Sequence, residues 1–63
     1  MEKTISIKQA RVGAGLSQKE TAELLGIAIN TYVKYEKHIV PFRIDRAMNF
    51  CKITKTTVDD IEW

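Results

Sequence analysis

Cysteine, histidine, proline and glycine are all scarce in this chain, and each scarcity removes a class of protein. Cys51 is the only cysteine, so no internal disulfide can form. That argues against a stapled secreted domain and suits a reducing interior. His38 is the only histidine, and one histidine with one cysteine makes no cluster for a metal ion. One proline and three glycines leave no flexible linker. No apolar run approaches the roughly 20 residues of a membrane span. The opening "MEKTISIKQA" lacks the apolar centre of a signal peptide, so the expected location is the cytoplasm. A Ser/His/Asp set and a phosphate-cradling glycine loop are also missing, so neither an enzyme nor a cofactor is expected.

What is present points to a folded body. Hydrophobic residues make up 44% of the 63, enough for a core. The expected organisation is a single domain over residues 1–63. A chain this short buries only about 60% of its unfolded surface, which leaves a thin margin of stability. Dimerisation is one remedy. The net charge of +2 is unevenly spread: residues 59–63, "DDIEW", hold three of the eight acidic groups. Residues 1–58 carry ten basic and five acidic side chains, a balance of +5. A basic body permits an anionic partner without requiring one.

Periodicity predicts helices throughout. Ile7 and Ala10 line one face of a first helix over about 5–13, with Lys8 and Arg11 elsewhere; Gly13 and Gly15 end it. Ser17 and Glu20 form a capping box that starts a second helix near Gln18. Thr21, Ala22 and Leu25 face inward, and Gly26 stops it. Ile27 plugs the core from the turn. A third helix runs from about Ile29 to Lys37, buried along Tyr32 and Tyr35; Ala28 is a poor cap for it. Pro41 marks a loop. A fourth helix, about 43–53, carries Ile44, Ala47, Met48 and Cys51 at helical spacing, with Arg43 and Arg46 outside that stripe. Thr57 and Asp60 signal a short fifth helix bearing Val58 and Ile61. No convincing strand is visible. The fold class is all-α: a compact bundle of five short helices.

The break at Gly26 raises a question that the third helix answers. Two helices crossing steeply need a tight connection, which glycine supplies. The second helix then braces the third, whose polar and basic side faces outward. A helix of that kind fits the major groove of B-form DNA, about 12 Å wide.

"GLSQKETAELLGIAINTYVKYEK", followed by Pro41, resembles the lambda-repressor-like helix-turn-helix family, also called the Xre family. The matching residues are Gly15, Leu16, Ser17, Gln18, Ala22, Gly26, Ile27, Glu36 and Pro41, and "TTVDDI" is similar to the family's closing helix. The resemblance implies that helices 2 and 3 form the helix-turn-helix and that the third is the recognition helix. Ile29, Asn30 and Lys34 would then meet base edges, with Ala28 and Thr31 close by. Ser17, Gln18, Lys19, Lys37 and Arg43 would meet phosphates, which position a protein without specifying sequence. Arg11 and Glu36 match a structural ion pair of the family, expected here as a bidentate contact. Three residues depart from the pattern: Ile29 where a polar residue is usual, Thr21 for leucine and His38 for glycine.

Plainer readings stand beside these. Lys34 can be an ordinary solvated lysine, and Asn30 a helix cap in another register. Tyr32 and Tyr35 are core rather than stacking platforms. Cys51 is a small buried hydrophobe. Phe50, Ile53 and Trp63 either complete the core or form a dimer seam, and Ile53 or Thr54 turns inward. The leading function is a sequence-specific regulator of transcription, a repressor, bound to double-stranded DNA as a homodimer. The alternative is a protein-interaction adaptor of antitoxin or antirepressor type on the same scaffold.

Overall fold

The computed structural model describes residues 4–63. Its elements run β1 (Ile5–Ser6), α1 (Ile7–Gly13), α2 (Gln18–Leu25), α3 (Ile29–Glu36), α4 (Ile44–Thr54), a 3-10 turn at Val58–Asp60, and β2 (Ile61–Glu62). Four α-helices therefore form among the described residues where five were expected.

The first helix starts two residues later than its periodicity suggests. Ser6 caps it: the Ser6 hydroxyl accepts from the Gln9 N–H at 3.0 Å, and the Gln9 side chain accepts from the Ser6 N–H at 2.8 Å. This reciprocal pair satisfies two donors that a helix start leaves orphaned. Ile5, freed from the helix, extends as β1 and pairs in parallel with β2, Ile5 opposite Ile61 and Ser6 opposite Glu62. The fifth helix is the second casualty of this pairing. Thr57 and Asp60 do start a turn, the Thr57 N–H donating to Asp60 Oδ2 at 2.9 Å. The turn lasts three residues, because the backbone at Ile61 then finds strand partners while its side chain enters the core at 4% exposure.

The core gathers Ile7, Ala10, Ala22, Tyr32, Tyr35, Phe50, Cys51 and Ile61, with Leu25, Ile27, Val40, Phe42 and Trp63 packed against it. Thr21 is fully buried and loses no hydrogen bond by it, since its hydroxyl donates to the Ser17 carbonyl at 2.9 Å. A threonine can thus stand where the resemblance led to the expectation of leucine.

The inward face of α4 differs from the expected stripe. Ala47, Phe50, Cys51 and Thr54 are buried, while Ile44 and Met48 are 69% and 53% exposed. Both stripes obey helical spacing. The one that buries Phe50 wins, because a phenyl ring carries more apolar area than any other side chain of α4. Phe50 meets Tyr32 at 6.3 Å, Phe42 at 5.6 Å and Trp63 at 5.9 Å between ring centroids. Thr54 turns inward rather than Ile53, its hydroxyl donating to the Phe50 carbonyl at 2.8 Å. Phe50 is 0% exposed, so it belongs to this chain's own core and is removed from any seam between copies.

Among the described residues, two that are not glycine occupy the left-handed backbone region, His38 at φ 58° and Lys55 at φ 56°. That conformation costs an L-residue about 1 kcal/mol or more. Lys55 is the exposed C-cap of α4. Lys55→Gly is expected to raise stability by about 0.5–1 kcal/mol. Chemical denaturation would show an unchanged or lower midpoint if the backbone there carries no strain.

Candidate nucleic-acid interface

α2 begins at a true cap. The Ser17 hydroxyl accepts from the Glu20 N–H at 3.0 Å, and Glu20 Oε1 accepts from the Ser17 N–H at 2.9 Å. The backbone and hydroxyl of Ser17 together hold the Glu20 carboxyl below its usual range. α2 ends at Gly26, whose φ of 70° reverses the chain, and the Ile27 N–H closes the turn on the Ala22 carbonyl at 3.0 Å. Ala28 then caps α3 without a side-chain hydrogen bond. Asn30 is therefore inside the first turn, exposed, and free of any capping duty.

With Tyr32 and Tyr35 buried, the opposite side of α3 faces solvent, and Asn30, Lys34 and Lys37 are exposed on it. Ile29 is 42% exposed, Ala28 is exposed and Thr31 is half-buried at the flank. Ser17 and Lys19 are exposed at the start of α2, and Gln18 is half-buried between α2 and α3. Arg43 lies outside, 3.5 Å from Asp45, in an exposed ion pair of little energetic weight. Ile53 is half-buried on α4. Trp63 is half-buried too, and its indole N–H donates to the Val58 carbonyl at 3.0 Å.

The residue that sets the angle of α3 is Glu36. Its Oε2 accepts from Arg11 Nε at 2.6 Å and from the Tyr32 hydroxyl at 2.6 Å. Its Oε1 accepts from the Gln18 side-chain amide at 3.1 Å. Three helices thus converge on one carboxylate. The bidentate contact expected of Arg11 with Glu36 does not form. The arginine's fork is divided: Nη1 donates to the Leu16 carbonyl at 2.7 Å, at the loop entering α2. Leu16 offers a backbone acceptor there, and the guanidinium satisfies both partners at once. Burial disfavours the Glu36 charge, yet the donors Tyr32, Arg11 and Gln18 and the charge of Arg11 outweigh it and hold its pKa below the usual range. Burial, with Glu36 beside it, pushes the Tyr32 phenol far upward, so that hydroxyl stays a donor.

The Tyr32 hydroxyl and the Leu16 carbonyl went unnoticed in the sequence. Tyrosine four residues before Glu36 on one helix was the available signal. An apolar recess of about 420 Å³, lined by Ile7, Tyr35, Phe42 and Trp63 among others, opens on the buried side of α3 and takes no part in the exposed polar face.

Residues 7–62 match the protein family described as Helix-turn-helix. No curated protein and no solved structure matches the chain.

Glu36 has its pKa depressed in the fold, so its contribution to stability is present above about pH 4.5 and is lost as pH falls through the folded value. Tyr32→Phe removes one donor. It is expected to destabilise by about 1.5 kcal/mol at neutral pH. It also brings the acid loss to higher pH and shrinks it. An acid-unfolding profile identical to that of the unchanged protein would show that the hydroxyl does not support the carboxylate. Arg11→Ala, which leaves Glu36 buried without its cation, is expected to cost about 3 kcal/mol; a loss under about 1 kcal/mol in denaturant titration is the range of exposed pairs and contradicts this.

Proposed function

Because the chain belongs to the lambda-repressor-like helix-turn-helix (Xre) family of DNA-binding transcription regulators, we propose that it is a sequence-specific repressor reading the major groove of duplex DNA with α3. The observation that supports this most directly is the opposition of two faces on one short helix. Tyr32 and Tyr35 anchor α3 from behind while Asn30 and Lys34 stand exposed in front. Eight residues of helix span about 12 Å, a length that a major groove admits.

Asn30 has the chemistry for adenine, its amide pairing with N6 and N7 together. Lys34 donates to guanine O6 or N7, or to a phosphate. Ile29 offers an apolar contact to a thymine methyl, with Ala28 and Thr31 at the edges. Ser17, Gln18, Lys19, Lys37 and Arg43 meet phosphates. Gln18 has one amide N–H on Glu36 and keeps the other for the backbone. The whole chain, residues 1–63, acts as one DNA-binding domain in the cytoplasm, with no cofactor and no catalytic step.

Two copies bind two half-sites about 34 Å apart on one face of the duplex. The seam draws on side chains that the fold leaves outside. Ile44 and Met48 lie one turn apart on α4, and Val58 is 42% exposed in the 3-10 turn. Half-buried Ile53 and Trp63 add to it from the same end of the chain. Occupying a promoter is sufficient for repression.

Selection of bound duplexes from a random pool tests the reading. A two-fold symmetric consensus is expected, and affinity for it falls steeply as salt rises. Asn30→Ala and Lys34→Ala are each expected to lose about 1–3 kcal/mol of base discrimination without loss of fold. Recovery of no consensus, with no binding at any salt, would favour the protein-adaptor class instead.

A further inference from the structure

Arg46 is absent from the interface as drawn so far, yet its surroundings single it out. It is half-buried on α4, and its Nη1 donates to the Tyr35 hydroxyl at 2.7 Å. Among the described residues no carboxylate lies within ion-pair distance of it, whereas Arg11 has Glu36 and Arg43 has Asp45. It is thus a cation held in place by a neutral group, with four guanidinium N–H donors unassigned. Tyr35 is itself immobilised, 3% exposed and stacked on Phe42 at a centroid distance of 4.3 Å.

The helical wheel of α3 gives that position meaning. At about 100° per residue, Tyr35 and Glu36 fall on opposite flanks of the buried line through Tyr32. Each flank carries one polar side chain from a neighbouring helix, fixed through a residue of α3: Gln18 of α2 through Glu36, and Arg46 of α4 through Tyr35. A helix seated in a major groove has a sugar–phosphate wall on either side of it. We propose that Arg46 is a phosphate-binding residue, the counterpart of Gln18 on the opposite flank, and that Tyr35 is its positioning residue. This rests on α3 being the groove-reading helix. An arginine suits the task because its planar fork can meet phosphate oxygens while one N–H stays on the phenol.

The test is fluorescence-anisotropy titration over a series of salt concentrations, with a labelled duplex carrying the selected consensus and a scrambled duplex of the same composition. Arg46→Gln is expected to weaken binding to both by about three- to tenfold at low salt, and to flatten the slope of log K against log salt by about 0.9 for each chain bound. Lys52→Gln removes the same charge from an exposed site further along α4 and controls for long-range attraction. Arg46→Lys keeps most of the slope. Tyr35→Phe keeps the slope and loses a few-fold in affinity, since the charge remains but is no longer aimed. Thermal melts check that each variant folds. If Arg46→Gln flattens the slope no more than Lys52→Gln does, the assignment is overturned while the groove reading stands. If the unaltered protein binds neither duplex at any salt, the groove reading fails and takes this inference with it.

Discussion

One carboxylate governs the geometry of this small protein. Glu36 is nearly inaccessible, and an isolated charge there would be untenable. It is tolerated because Arg11, Tyr32 and Gln18 all donate to it. Those donors come from α1, α3 and α2, so the charge can be satisfied only when the three helices take one particular arrangement. A purely apolar contact would allow α3 to slide or roll. A carboxylate with three directed partners does not. The exposed face of α3 is aimed by this network, although no member of it belongs to the row Asn30, Lys34 and Lys37.

The same economy appears at the flanks. Gln18 and Arg46 each donate one N–H to α3, which leaves their other donors for the phosphates proposed above. Side chains anchored in this way lose less conformational freedom on meeting a ligand than free lysines do. The interface proposed for α3 would have a rigid centre and two supported sides, with the exposed charges Lys19, Lys37 and Arg43 at the periphery.

Much of this was legible in the sequence, and the failures have physical reasons. The S-x-x-E start at Ser17, the stop at Gly26 and the tyrosine face of α3 were readable because caps and helical spacing are local signals. The register of α4 was not. Its apolar residues fill two overlapping stripes, and only the partners of Phe50 on other elements decide between them. The strand pair was invisible because two residues carry no periodicity, and its partners lie far apart in the chain. The Ser6–Gln9 cap, which sets the later start of α1, was not read from the sequence. Asn30 and Lys34 were singled out through the family resemblance, and both stand exposed on α3. The role of Tyr32 was signalled only by its place four residues before Glu36, since a buried phenol and a buried phenyl look alike until the hydroxyl has a named acceptor.

The aromatic stack behind α3 has a practical consequence. Trp63 is the only tryptophan of the chain. Its ring lies edge-on to Phe42 at 5.0 Å, and Phe42 in turn stacks on Tyr35. The emission of that single indole is therefore an intrinsic optical gauge wired to the rear of α3, needing no attached dye. Any ligand that tilts α3, or any lesion that loosens it, acts on a fluorophore already in place two rings away.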